Sequence, residues 1–514
     1  MPVVRAPPTF ACASDLVVAE LLDRLQSIGT LHGPVDARAD EIYLDTRGDE
    51  LAAAGVTARC RDYAGVRTIQ LVVVPIDPDE LPEPPLLERA VSRVDDVGAA
   101  VRSWVAEQFG LELGEAPREV LSLVVARRRW SFVVDELRLE LALDEIAASE
   151  PHGRRVRLGE LSIEATEAIS GDPVRAAAVL RRVLAGVRKV DGIEEAKTST
   201  FERAREALGL GELGYGAKPA PLGADDLLVD GARRMIASWW STVRAHIPGV
   251  RVGVDPEHVH KLRVALRRLR TALKLFDDAF QPAAAARLRD STRTLGRAFG
   301  AVRDLDVQRA ALAGWRQDFS TVEVSAWRDI CERIDRERNA ARKVALTLVG
   351  GDAWQEIQDD VERCIAPDPR GLRHTVGAVA PVLVRKRVDR CTRALERVED
   401  GGAAQAHALR IEVKNLRYSL DFLGAALAVE DDVMERLAAL QSVLGEVQDD
   451  VQTGELATRL VAMSPRPPSA TAFGLGVLVG YGRARADHAT RTALHAAAQH
   501  GLRELLAGLA HPHD

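Results

Sequence analysis

Between His260 and Lys274 the chain carries six cations, Lys261, Arg263, Arg267, Arg268, Arg270 and Lys274, and no carboxylate. His260, Arg263, Arg267, Arg270 and Lys274 recur at steps of three and four, which places them on one stripe of a helix. Leu262, Leu266, Leu269, Leu273 and Phe276 recur in the same way on a separate, apolar stripe. With about 1.5 Å rise per residue, the cationic row is roughly 20 Å long. Guanidinium groups stay charged and match phosphate oxygens in a fixed fork. A row of them without acidic partners on the same helix suggests an extended anionic ligand. A metal or catalytic role for His260 lacks a partner at ligand spacing. His258 lies two residues earlier and points elsewhere on a helix. His260 is therefore expected to donate to a phosphate or to pack.

The helix that positions this row has legible ends. Asp255-Pro256 reads as an N-cap followed by a first-turn proline, and Gln281-Pro282 stops it. The pattern then repeats. His407, Arg410, Lys414 and Arg417 match His260, Arg263, Arg267 and Arg270, and Gly445-Glu446-Val447-Gln448-Asp449 matches Gly300-Ala301-Val302-Arg303-Asp304 one helix later. Such a repeat predicts two similar four-helix bundles related by a pseudo-twofold, with the two cationic rows on a common cleft. Asp304, Asp306, Asp449 and Asp450 are read as arginine partners rather than metal ligands. Arg289, Arg293 and Arg297 on the third helix, Arg303, and the run Arg385, Lys386, Arg387 and Arg390 would widen the basic patch.

The whole chain of 514 residues has a formal net charge of −7, so a polyanion site must be a local patch on an acidic background. Aromatics make up 4%, which counts against the stacking platforms of single-strand nucleic-acid binders. Five scattered cysteines without CxxC spacing argue for a reducing compartment and against a disulfide framework or zinc site. With no signal-like N-terminus and no long apolar run, the expectation is a cytoplasmic protein without membrane association.

Residues 1–208 read as α+β. Helices are predicted at Leu16–Ile28, Val91–Phe109, Pro173–Leu184 and Ser199–Leu208. Strands are predicted at Glu41–Thr46, Val56–Asp62, Arg67–Val74, Ser122–Arg129, Trp130–Val134, Leu137–Asp144 and Gly159–Ala165. Pro75–Pro85 is expected to be an irregular loop. Residues 209–224 are rich in glycine and proline and form the predicted linker. Residues 225–510 are predicted all-helical, with one half at about 225–349, an insertion at 350–371 and a second half at about 372–510.

The repeated HxLR[VI]xx[RK]xLR pattern, each copy followed by a glycine-containing helix ending in an acidic residue, resembles the CHAD (conserved histidine α-helical domain) family. The resemblance implies a double four-helix bundle that binds inorganic polyphosphate. By position it assigns that role to His260, Arg263, Arg267, Arg270, His407, Arg410, Lys414 and Arg417, with Tyr418 completing the second copy. Lys274, Arg297, Arg303, Lys386 and Arg390 are added as flanking cations. The N-terminal segment resembles the CYTH, or triphosphate tunnel, family through Tyr43-Leu44-Asp45-Thr46, Arg59, Arg61, Arg127–Arg129, Leu139-Glu140, Asp144, Glu160 to Glu164 and Lys197. That resemblance implies an antiparallel β-barrel with a charged interior. The family's opening ExExK strand, whose carboxylates hold a divalent metal, has no counterpart in Met1–Cys12, which contains no Glu, Asp or Lys. The segment therefore reads as a tunnel-like fold without the metal site, binding at most an anion through Arg59, Arg61, Arg127 and Arg129.

The resulting expectation is polyphosphate binding that targets or organises polyphosphate granules, with no cofactor. The rival is a metal-dependent triphosphatase using Mg²⁺ or Mn²⁺ on Glu140, Glu160 and Glu164. Nucleic-acid binding is the third reading.

Overall fold

The structure, a computed structural model, describes residues 9–12, 15–63, 66–73, 87–90, 97–135, 137–151, 153–168, 173–196, 198–210, 219–315, 322–366, 374–399, 403–462, 467–499 and 501–510. Their contacts divide the chain into two units, Met1–Tyr215 with Ala245–His258, and Gly216–Arg244 with Val259–Asp514. The expected proline-rich loop at 75–85 and Lys197 lie outside the described residues.

In the first unit the strands are β1 (Thr9–Cys12), β2 (Thr30–Asp45), β3 (Val56–Tyr63), β4 (Val66–Val73), β5 (Leu87–Ala90), β6 (Arg118–Val134), β7 (Leu137–Ser149), β8 (Arg155–Ala168) and β9 (Ile193–Glu195). They form one sheet in the order β5-β4-β3-β2-β6-β7-β8-β1-β9. Every ladder is antiparallel. No ladder joins β5 to β9 among the described residues, so the barrel expected from the sequence is an open sheet there. The two runs read on either side of Arg129 are one continuous strand, β6.

Because side chains alternate, the ladders fix what each face carries. One face is apolar. Trp130, Phe132, Leu139, Leu141, Leu143, Leu161 and Ile163 are buried in one cluster with Val18, Leu21 and Leu25 of α1 (Asp15–Gln26) and Val179, Val183 and Val187 of α4 (Pro173–Val187). Farther along the same face, Leu44, Val56, Ala58, Ile69 and Leu71 pack under Val97, Val101 and Val105 of α3 (Val97–Phe109), with α2 (Glu50–Ala53) alongside. The opposite face carries Glu41, Arg59, Arg61, Arg127, Arg129, Glu140, Asp144, Glu160 and Glu164. Its end is closed by α5 (Thr200–Ala207), which Ser199 and Glu202 start with a reciprocal capping box.

The remaining helices are α6 (Leu228–Val252), α7 (Pro256–Leu275), α8 (Pro282–Trp315), α9 (Val324–Thr347), α10 (Gly351–Ile365), α11 (Val376–Glu399), α12 (Ala403–Leu423), α13 (Asp431–Ala462), α14 (Ser469–Gln499) and α15 (Leu502–Ala510). Asp255 caps α7 as its sequence suggests, accepting the Glu257 N–H at 2.7 Å. The predicted apolar stripe of α7 is fully buried, with Leu262, Leu266, Leu269, Leu273 and Phe276 each at most 1% exposed. Its counterparts Leu409, Val413, Leu416, Leu420 and Leu423 on α12 are buried too. The third and fourth helices of both halves share a core made by Leu305 and Leu312 (α8), Ile330 and Ile334 (α9), Leu460 (α13) and Leu475 and Leu478 (α14).

Residues 351–365, within the predicted insertion, form α10. Ile357, Val361 and Cys364 are its buried stripe, and Asp360 is 5% exposed while accepting from Arg287 of α8 at 2.6–3.1 Å and from Arg363 at 2.7 Å. The last predicted helix is two, because Gly501 takes a positive φ of 54° and ends the helical path between α14 and α15. Among the described residues no helix is long and apolar enough to cross a membrane.

Candidate functional site

The α7 row lies against α8, and α8 makes room for it with glycine. The ideal Cβ position of Gly300 is 3.5 Å from the Arg263 guanidinium, and that of Gly296 is 3.8 Å from Arg270. Arg263 donates to the Gly300 carbonyl at 3.1 Å and to Asp304 Oδ1 at 2.9 Å, so this arginine is held in place from α8. Asp306 instead pairs with Arg338 of α9. Both aspartates thus serve as arginine partners; the side chains of Asp449 and Asp450 lie outside the described residues. The His260 imidazole is pushed down to about 4, first by burial and then by Arg303, Lys261, Arg267 and Arg263. It is neutral at pH 7 and surrounded by positive charge. His258, two residues away, is fully buried beside His246, with their Nδ1 atoms 3.3 Å apart, and burial pushes it to about 4 as well.

The second row meets the first at Tyr418. Burial holds Arg267 below the ordinary guanidinium value; the nearby Tyr418 opposes that, while Arg263, Arg410 and Arg268 add to it. The influence of Arg410 of α12 on Arg267 of α7 is the point at which the two rows come together. The Tyr418 ring is shared by three guanidiniums, Arg268 at 4.7 Å, Arg417 at 5.6 Å and Arg267 at 5.7 Å from its centroid. Arg417 also donates to Gln441 at 2.9 Å. Arg268 belongs to the frame: it pairs with Asp421 at 2.8 Å and lies over Trp239 at 4.9 Å. His407 is exposed and 2.5 Å from Gln448 of α13, and Lys414 is half-buried.

At the other end of α7 the positive charge is least compensated. Arg270 is held low by burial, then by Arg293 and Arg297. Lys274 is held low by burial, then by Arg270, Arg387, Arg293 and Arg390. Arg387 is 8% exposed and held low by burial and Arg390, with only Glu412 acting the other way. Among the described residues Arg267, Arg270, Lys274, Arg297, Arg387 and Arg390 make no ion pair with a carboxylate. Of the predicted flanking cations, Arg297 and Arg390 join this cluster and Arg303 acts on His260, while Lys386 is exposed and none of these influences includes it. Of the run Arg385, Lys386, Arg387 and Arg390 expected to widen the patch, Arg387 is the buried member. A binding surface of this kind offers charge-assisted hydrogen bonds to several phosphates at once.

The charged face of the first unit has a different character. Arg59 is 3.4 Å and Arg61 3.2 Å from Glu41, and Arg59 also donates to Gln70 at 2.5 and 2.9 Å. Arg127 makes a two-pronged pair with Asp144 at 2.6 and 2.5 Å, and Arg129 is 3.8 Å from Glu140. The Asp144 bond raises the Arg127 pKa; at Arg59 burial lowers the pKa, and Tyr43 and Glu41 together outweigh it and raise it. Glu160 accepts from Thr200 at 2.6 Å and is paired with Arg203. Glu164 is opposite Glu140 in the ladder but exposed. Asp45, raised to about 6 by burial, accepts the backbone N–H groups of Thr46, Leu51 and Ala52 and so holds a turn. The divalent metal that a triphosphate tunnel implies does not fit this set. Glu41, Asp144 and Glu160 are paired with arginines, and no group of three or more potential ligands occurs among the described residues.

Residues 234–458 match the family model described as the CHAD domain. The CHAD domain from the plant Ricinus communis is similar at 26% identity and a TM-score of 0.46, over 55% of this chain and 97% of that one. PptA from Streptomyces chartreusis is similar at 20% identity and a TM-score of 0.43, over 53% and 99%. HpAC1 from Hippeastrum, described as an adenylyl cyclase with a dominant triphosphatase activity, is similar at 18% identity and a TM-score of 0.27, over 40% and 95%. No curated protein matches the chain.

Proposed function

We propose that the helical unit, whose residues 234–458 match the CHAD domain model, binds inorganic polyphosphate along the rows of α7 and α12, and that this binding targets the protein to polyphosphate-rich granules. The observation that carries the reading is the set of cations around Arg267, Arg270 and Lys274 whose neighbours are other cations rather than carboxylates. Holding like charges together costs free energy in the unbound protein, and a polyanion relieves it on arrival. Arg263 and Arg417 are pre-positioned by Asp304 and Gln441, which reduces the ordering cost of binding.

The test is affinity for polyphosphate as a function of salt. Arg267→Glu and Arg410→Glu should each weaken binding about ten-fold or more, since a charge-assisted hydrogen bond is worth about 1.5–3 kcal/mol. The double variant should lose at least the product. Unchanged binding by the double variant would overturn the reading. RNA competing as well as polyphosphate at matched phosphate and salt would replace it with nucleic-acid binding. Diffuse distribution of the labelled protein in cells that contain polyphosphate granules would remove the targeting role.

A further inference from the structure

The cationic path does not stop at Lys274. On α11, Arg387, Arg390, Arg393 and Arg397 follow one another at steps of three, three and four, the same helical stripe that organises α7. Arg387 and Arg390 act electrostatically on Lys274, so the second stripe begins where the first ends. From there Arg390, Arg393 and Arg397 line a groove of about 500 Å³ between α11 and α12, together with Gln405 and Glu412. Arg390, Arg393 and Arg397 are exposed, and none of them is in an ion pair among the described residues. Three guanidiniums face one carboxylate, and Glu412 Oε2 is buried there without a hydrogen-bond partner among the described residues.

We infer that the α11–α12 groove is a second phosphate subsite, an extension that receives the part of a long polyphosphate chain running beyond Lys274. The inference rests on the polyphosphate reading of α7. It adds a chain-length preference to it: short chains fill the α7–α12 rows, and only long chains reach Arg393 and Arg397. The stripe from Arg387 to Arg397 adds about 15 Å of path along α11. Glu412 limits the attraction, so removing its charge strengthens the subsite.

The experiment compares tripolyphosphate with long-chain polyphosphate on the full-length protein, with Arg393→Ala/Arg397→Ala and Glu412→Gln as variants. For the arginine pair, long-chain affinity should fall about ten-fold, since exposed charge contacts are individually modest. The slope of log affinity against log salt should become shallower by roughly one to two. Tripolyphosphate affinity should stay within two-fold. Glu412→Gln should shift long-chain affinity the opposite way. Equal losses for both ligands, or no change in long-chain affinity and salt slope, would overturn the extension. If Arg267→Glu abolishes binding while the α11 pair has no effect, the extension fails and the core reading stands. If the unaltered protein binds neither ligand, both fail.

Discussion

Replacing Arg270 with glutamine should make the unliganded protein more stable and a worse polyphosphate binder. Arg270 has Arg293 and Arg297 as its electrostatic neighbours and itself acts on Lys274. Two unit charges about 8 Å apart at an effective dielectric of about 40 repel by about 1 kcal/mol. Screening over a Debye length of about 8–10 Å leaves a fraction of that for each neighbour, and the Asp290 carboxylate paired with Arg293 offsets part of one, so about 0.5–1 kcal/mol remains for the three together. Glutamine keeps most of the stem that packs beside Gly296. For a helical unit of this size the gain corresponds to a rise in Tm of up to about 2 °C. The assay is thermal unfolding of the variant and the unaltered protein at about 0.05 M and 1 M salt, with and without polyphosphate. The gain should shrink at high salt, where the Debye length is about 3 Å. Saturating polyphosphate should reverse the order, raising the Tm of the unaltered protein above that of the variant. A variant that is less stable at low salt, or equally stabilised at both salts, would refute the reasoning, because the cluster would then not be held under repulsion.

Other consequences can be checked in the same way. His258 and His260 both titrate near 4 when folded against 6.5 when free. The unfolded chain therefore takes up protons first, and stability should be lost as pH falls from about 6.5 to 4. Polyphosphate should lift the part of the His260 depression that the surrounding cations cause, while burial, the larger cause, remains; affinity should therefore rise as pH falls from about 6 towards 4, and His260→Gln should abolish that rise. A pH-independent affinity over that range in the unaltered protein refutes it. Asp304→Asn removes the carboxylate that pre-positions Arg263 and should weaken polyphosphate binding a few-fold while costing at most about 1 kcal/mol of stability, since the pair is partly exposed; tighter binding would show that Asp304 neutralises Arg263 more than it positions it. In the first unit, Asp144→Asn leaves Arg127 without its charged partner and should destabilise by about 1–3 kcal/mol, read by denaturant unfolding. Tripolyphosphate with Mg²⁺ or Mn²⁺ should not be turned over; turnover lost in Glu160→Gln would restore the triphosphatase reading.

The α7 row was legible because a helix turns a spacing of three and four into a shared face, and because the leucines between the cations mark the opposite face. The repeat made its partner on α12 visible as well. Arg387 was harder to assign, since nothing in a run of Arg385, Lys386, Arg387 and Arg390 says which member turns inward; packing of α11 decides that. The state of Arg59, Arg61, Arg127 and Arg129 was illegible for another reason. Their partners sit across strands, with Arg61 facing Glu41 and Arg127 facing Asp144 in the ladders. Only the register reveals that each of these cations has a carboxylate within ion-pair distance. Helix α10 carried its own signal in Trp354, Ile357, Val361 and Cys364, a stripe obscured by reading its surroundings as an insertion.

The frame around Arg268 shows what became of the repeat. Aligned on their histidines, the two copies put Asn415 opposite Arg268, Thr271 opposite Tyr418 and Lys274 opposite Asp421. The ring that gathers three guanidiniums and the counter-charge of Arg268 therefore exist in one copy alone. Two identical first copies brought together would confront Arg268 with a lysine where Asp421 now stands. The two halves of the chain thus contribute different residues to one frame, Arg268 from the first and Asp421 and Tyr418 from the second.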